Sequence, residues 1–169
     1  MDTRSDDASW MNLAYQEAQK AFAMGETPVG AVIVFQDRVI AAAHNLRETQ
    51  KDPTAHAELL AIQEASRIRG GWRLFGCTLY VTVEPCPMCA GAMLMSRIDR
   101  LVFGVRDPKA GVAGSLYNLV QDPRFNHRLE VTEGIMAEEC GAILTDFFTK
   151  LRDLRRDGRV VDCARLESE

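Results

Sequence analysis

Apolar residues recur at helical spacing after Ser9, where Trp10, Leu13, Ala14, Ala18, Ala21 and Phe22 share one face and Glu17 is the polar exception. Ser9 is a good N-cap, and Gly25 can end the helix. The run VGAVIVF at 29–35 is continuously apolar, as buried strands are. Gln36-Asp37 offers a tight turn, and 38–43 returns as a second strand. Asp52-Pro53-Thr54 supplies a capping side chain and then a proline, which predicts a helix over 53–69 stopped by Gly70-Gly71. The remaining pattern predicts a strand at 77–83, a short helix at 86–96, a strand at 100–105 and a loop at 107–114. A short helix at 115–120, a strand at 129–135 and an amphipathic helix at 137–156 follow. The strands at 77–83 and 100–105 enclose a helix, as a parallel crossover requires. The class is α/β, one sheet with helices on its faces.

Composition narrows this reading without changing it. The chain of 169 residues is 47% hydrophobic and 26% charged, ordinary for a soluble globular protein with one sizeable core. No apolar run is long enough to span a membrane, and the acidic start MDTRSDDASW does not read as a secretory signal. The expected location is cytoplasmic. Five cysteines, an odd number, argue against a disulfide framework and favour metal or thiol chemistry where they cluster. A net charge of −4 counts against general nucleic-acid binding, although a local basic face is still compatible with it.

The cluster is Cys86-Pro87-Met88-Cys89, in the stretch YVTVEPCPMCAG. Cysteines three apart at a helix start place both sulfurs on one side of the first turn. Free backbone N–H groups and the positive helix end favour thiolate there. Two thiolates underfill a zinc site, and TAHAEL offers His56 as a third ligand at the start of the other capped helix. Three protein ligands leave the fourth tetrahedral position to water, which marks a catalytic site. Glu58, two residues on, is suited to accept that water's proton. Each half is weak evidence alone. CxxC also occurs in redox pairs and structural zinc knuckles, and a single histidine on a helix is most often a packing residue. The redox reading leaves His56 and Glu58 idle. His-x-Glu followed by Pro-Cys-x-x-Cys is the signature of zinc deaminases.

The segments PVGAVIV, HN, DPTAHAE, EPCPMCAGAM, SRI, VFGVRDPKAG, GSLYNL, NHR, TEGI and DFF carry a wider likeness. Over residues 10–152 the chain resembles the cytidine/deoxycytidylate deaminase superfamily, and within it the bacterial tRNA-editing adenosine deaminases. The resemblance implies a three-layer α/β/α fold around a five-stranded mixed sheet. It implies a homodimer with one zinc per subunit that converts adenosine to inosine at the wobble position of a tRNA anticodon, chiefly the arginine tRNA with anticodon ACG. On that likeness His56, Cys86 and Cys89 bind zinc and Glu58 shuttles protons. Asn45 hydrogen-bonds the flipped nucleotide, Val29 lines the base pocket, and Asp107 lies in the loop beside it. Read without the likeness, Asn45 and Asp107 are ordinary turn residues. His127 in NHR is equally a phosphate contact or a loop residue.

The last helix, DFFTKLRDLRR, sets Arg152, Arg155, Arg156 and then Arg159 on one broad face. Such a pattern suits either a solvated face or a track for the anticodon stem backbone. Phe148 is available to stack on an anticodon base. The expected division is an acidic tail at 1–8, a zinc deaminase domain at 9–156 and an extension at 157–169. The stretch LRETQK at 46–51 departs from the family, whose members often carry a proline near its start. Cys77 and Cys140 read as small buried residues and Cys163 as an exposed tail thiol. DNA is not an expected substrate. The rival readings are a deaminase of a free base or nucleotide, such as guanine or deoxycytidylate, and a zinc-stabilised RNA-binding module without catalysis.

Overall fold

The computed structural model describes residues 3–158, with side chains from Asp7 onward, so Arg159, Cys163 and nearly all of the expected 157–169 extension lie outside the described residues. The chain runs α1 (Thr3–Ala23), β1 (Gly30–Phe35), β2 (Arg38–His44), α2 (Arg47–Gln50), α3 (Ala57–Arg69) and β3 (Cys77–Val83). It continues through α4 (Pro87–Met95), β4 (Arg100–Val105), β5 (Glu130–Glu133) and α5 (Ala137–Arg156). The strands form one five-stranded mixed sheet in the order β2-β1-β3-β4-β5. β1 is antiparallel to β2 and β3, while β3, β4 and β5 are parallel.

The central strands are buried on both faces, which is why their sequences are predominantly apolar, with the buried Thr82 of β3 accepting the Gly30 N–H. Ala31, Ile33, Leu79, Val81, Leu101 and Phe103 face α3 and α4. Val32, Val34, Tyr80 and Val102 face α1 and α5 through Met11, Ala14 and Cys140. This is the expected three-layer arrangement. α1 crosses β1 at Gly30, where a Cβ would fall 2.0 Å from the Ala14 carbonyl oxygen, so only glycine fits. Gln36 and Asp37 both take positive φ, 49° and 55°, as a two-residue hairpin between β1 and β2 demands.

Several boundaries depart from the sequence expectation, each for an identifiable reason. The first helix starts at Thr3, so residues 3–8 are helical rather than a tail. Asp7 anchors it: the carboxylate is buried and accepts the Tyr80 hydroxyl at 2.8 Å and both Arg100 terminal nitrogens at 2.8 and 2.7 Å. Arg100 also donates to Thr132, which ties α1 to β4 and β5. The third helix begins at Ala57, not at 53, because Asp52 Oδ1 accepts the Thr54 N–H and hydroxyl in a separate turn. No helix forms at 115–120. There Ala113 bridges Asn118, and the Ser115 N–H and hydroxyl both donate to Glu84. β5 is shorter than expected because the Leu129 N–H bonds the Val120 carbonyl and Gly134 turns the chain at φ 84°. The departing stretch LRETQK forms α2, whose Glu48 and Thr49 N–H groups donate to the fully buried Glu26 carboxylate.

Arg100 and Tyr80 hold the Asp7 carboxyl below its ordinary range against the opposing effect of burial. Its contribution to stability is therefore present above about pH 3.9 and is lost as pH falls through the lowered value. Asp7→Asn, which removes the negative charge and turns an NH₂ toward donors of Arg100 or Tyr80, should cost about 2–4 kcal/mol in urea unfolding at pH 7. The gap between the two proteins should narrow as the pH is taken below 4.

Candidate active site

His56 and Cys86 occupy the same structural position in two different helices. His56 is the N-cap of α3 (φ −79°, ψ 148°) and Cys86 the N-cap of α4 (φ −75°, ψ 171°). Both therefore sit in extended backbone just ahead of unpaired helical N–H groups. Pro87 follows Cys86 in the first turn, where its missing N–H costs nothing. One turn further along α4, Cys89 is fully buried.

The ligand atoms of His56, Cys86 and Cys89 all lie within 4.8 Å of one another. His56 Nδ1 is 3.7 Å from Cys86 Sγ and 3.6 Å from Cys89 Sγ. Ordinary Zn–N and Zn–S bonds at a tetrahedral angle separate nitrogen from sulfur by about 3.6 Å. The trio thus fits a tetrahedral soft-metal site with one open position.

The local electrostatics agree with that fit. A hydrogen bond from Cys89, followed in size by the opposing effect of burial and then by a bond to His56, brings the Cys86 thiol down to about 4. The same contact with Cys86, together with burial, pushes the Cys89 thiol well up. Cys86 likewise raises His56. Burial pushes Glu58 up to about 7, with the Cys86 thiolate adding to the rise. Glu58 lies in the first turn of α3, and only 4% of its surface is exposed.

A cleft of about 280 Å³ opens over this centre. Val29, Asn45, His56, Glu58, Cys86, Asp107 and Phe148 all line it, so most of the expected site residues meet in one place. Asn45 is both a turn residue and a cleft residue. Its Oδ1 accepts the Arg47 N–H, and its Nδ2 donates to the Thr27 carbonyl. Asp107 opens its loop by accepting the Lys109 and Ala110 N–H groups on Oδ1. Phe148 stands edge-on to Phe147 at 5.4 Å and is 43% exposed. Arg152 does not line the cleft. It is exposed and donates to Thr149 Oγ1 within α5. His127 donates Nε2–H to the Ile98 carbonyl at 2.6 Å, so it braces its own loop.

Sequence reasoning missed Thr27, Arg47, Glu84 and Ala110, which also line the cleft. Glu84 was the findable one. An acidic residue between an apolar strand and the first cysteine has to be buried, and a buried carboxylate needs donors.

The model of the MafB19-like deaminase family matches residues 5–152, which places the chain in the class of the deaminases. The tRNA-specific adenosine deaminase of Bacillus subtilis (strain 168) is 52% identical over 155 residues, covering 92% of this chain and 96% of that protein. That of Haemophilus influenzae is 48% identical over 163 residues, covering 96% and 92%. A solved structure from studies of A-to-I editing by tRNA:A34 deaminases superposes with a TM-score of 0.78 at 42% identity, covering 80% of this chain and 99% of that one. The chain belongs to the family of the tRNA-specific adenosine deaminases. It is a deaminase enzyme with the cytidine deaminase-like fold.

The depressed Cys86 thiol makes the metal-free protein selectively reactive. In a Cys163→Ser background at pH 6, iodoacetamide should modify Cys86 at least about tenfold faster than Cys77 or Cys140, whose thiols burial raises. Peptide mass mapping reads the sites, and added Zn²⁺ should protect Cys86.

Proposed function

We propose that this protein deaminates adenosine to inosine, hydrolytically and with zinc, at the wobble position of a tRNA anticodon. The substrate is the arginine tRNA with anticodon ACG, and the working form is a homodimer with one zinc per chain. One observation carries this reading: the buried Glu58 lies beside the His56, Cys86 and Cys89 trio, in a cleft that also presents Val29, Asn45, Asp107 and Phe148. The names of the relatives support the RNA substrate, and the A34 deaminase structure supports the wobble position.

His56 Nδ1, Cys86 Sγ and Cys89 Sγ would hold the zinc. When bound, the metal lowers the pKa of water and supplies hydroxide near neutral pH. Glu58 accepts the water's proton and delivers it to the ring nitrogen beside C6 as hydroxide adds there. It then takes the proton of the hydroxyl newly added at C6 and passes it to the departing amine, so adenosine and water become inosine and ammonia. A carboxyl poised near neutrality suits both transfers, since neither direction is then steeply uphill. Val29 forms an apolar wall for the base. The second proton on Asn45 Nδ2 is free to reach the flipped nucleotide, and Asp107 borders it. Phe148 offers a stacking face to a neighbouring anticodon base. Arg152, outside the cleft on the exposed side of α5, is placed to meet the stem backbone rather than the reacting base.

Glu58→Ala should keep its zinc by elemental analysis yet lose deamination by at least about 10²–10⁴-fold. The assay is an anticodon stem-loop read by mass spectrometry for a gain of about one dalton, as NH gives way to O. Free guanine, deoxycytidylate and a stem-loop with cytidine at the target position serve as competing substrates. Conversion of those instead of the adenosine stem-loop would overturn the assignment.

The basic face of α5 generates a second expectation. Deleting residues 151–169 should weaken tRNA binding and flatten its dependence on salt concentration in filter-binding titrations. Unchanged affinity would remove α5 from the RNA site.

A further inference from the structure

Glu84 is a buried carboxylate at the cleft that the proposed chemistry leaves without a role. It sits between the end of β3 and the Cys86–Cys89 segment, and its N–H continues the sheet by donating to the Val105 carbonyl at 2.8 Å. Its carboxylate faces the loop at 107–115 and takes donors from both ends of it. Asp107 N–H reaches Oε2 at 3.0 Å, while Ala113 and Ser115 N–H reach Oε1 at 2.9 and 3.0 Å. The Ser115 hydroxyl also donates to Oε2. Four donors fill the capacity of a carboxylate. The loop wraps so tightly that a Cβ at Gly111 would lie 2.3 Å from Glu84 Oε2. The Val112 N–H adds a bond to the Pro85 carbonyl at 3.0 Å.

The loop closes on itself through the Gly111 N–H to the Asp107 carbonyl and the Leu116 N–H to the Gly111 carbonyl, and the Glu84 side chain ties both of its ends to the segment after β3. That side chain lies two residues before Cys86. Its position sets how far the Asp107 wall of the cleft stands from the two sulfurs. Ordinary loop stabilisation needs no such link. A carboxylate anywhere along the loop could fill the same donors, whereas this one registers the loop against the metal-ligand segment.

We propose that Glu84 is a positioning residue for substrate binding, acting through Asp107 and not through the metal or the proton transfers. This rests on the deaminase reading above. Replacing the carboxylate by an amide turns an NH₂ toward at least one loop N–H, so the loop should loosen while the shape of the side chain is kept.

The experiment is a double-mutant cycle of Glu84→Gln and Asp107→Ala on the zinc-loaded full chain, assayed with the adenosine stem-loop. Glu84→Gln should retain the zinc content of the parent, raise KM about tenfold and leave kcat within about threefold. In the Asp107→Ala background the same change should move KM by less than about twofold, because the wall it positions is gone. Hydrogen exchange without RNA should quicken at the Asp107, Ala113 and Ser115 amides. Ser115→Ala, which removes one donor and keeps the acid, should shift KM in the same direction by less.

Zinc lost in parallel with activity would overturn the proposal and make Glu84 a support of the metal site. An undiminished KM effect in the Asp107→Ala background would overturn it too, as would an unchanged KM in both Glu84→Gln and Ser115→Ala. If the parent protein does not convert the stem-loop, the functional reading fails, while the exchange arm still decides whether Glu84 holds the loop.

Discussion

Two helix N-termini meet beyond the end of β3, and that meeting is the constraint on which the site depends. Each contributes an N-cap residue in extended backbone, His56 from α3 and Cys86 from α4, with Cys89 one turn deeper. The convergence needs both helices pressed onto the same face of the sheet. α3 allows it with Ala57, Ala61 and Ala65 along its fully buried side. Alanines at that spacing let the helix approach closely where larger side chains would hold it off. The β3–α4–β4 crossover then brings α4 to the same end, since parallel pairing of β3 with β4 requires the helix to return along the sheet.

This arrangement brings two thiols and a buried carboxyl together beside the His56 imidazole. The outcome is differentiated rather than uniform. Cys86 becomes a strong anion-former, Cys89 stays a donor to it, and burial keeps Glu58 near neutrality instead of fully acidic. Three groups that would be unremarkable in water acquire separate roles by sharing one desolvated corner. A divalent ion would answer the charge that two sulfurs place there.

Around that centre the cleft walls are held by buried acids. Glu26 takes N–H groups of α2, and Glu84 takes those of the Asp107 loop. Among the described residues no buried side-chain nitrogen or oxygen lacks a partner. Glu84 stands in for regular secondary structure at the 107–115 loop, where the chain stays irregular to form the cleft. That explains how loops can be positioned closely enough to frame a site without strands or helices of their own.

Much of this was legible in the sequence. A continuous apolar run marked β1, the apolar pattern marked β3 and β4, and an amphipathic pattern marked α5, because burial and periodicity are local in their effect. The metal trio and Glu58 were legible for a different reason: soft ligands, an acid and a proline-marked helix start leave few other uses for that combination of residue types. What the chain alone did not reveal depended on partners distant in sequence. The start of α1 is decided by Asp7 meeting Tyr80 and Arg100, and the missing helix at 115–120 by the Leu119 N–H, which bonds the Val112 carbonyl rather than that of Ser115. Whether Asn45, Asp107 and Phe148 belonged with the His/Cys/Cys group was likewise a question of which segments the fold brings to one end of the sheet. Local propensity determined the elements, and residue chemistry singled out His56, Glu58, Cys86 and Cys89. Only tertiary packing, by giving buried polar groups their partners, decided where the elements end and which side chains share the cleft.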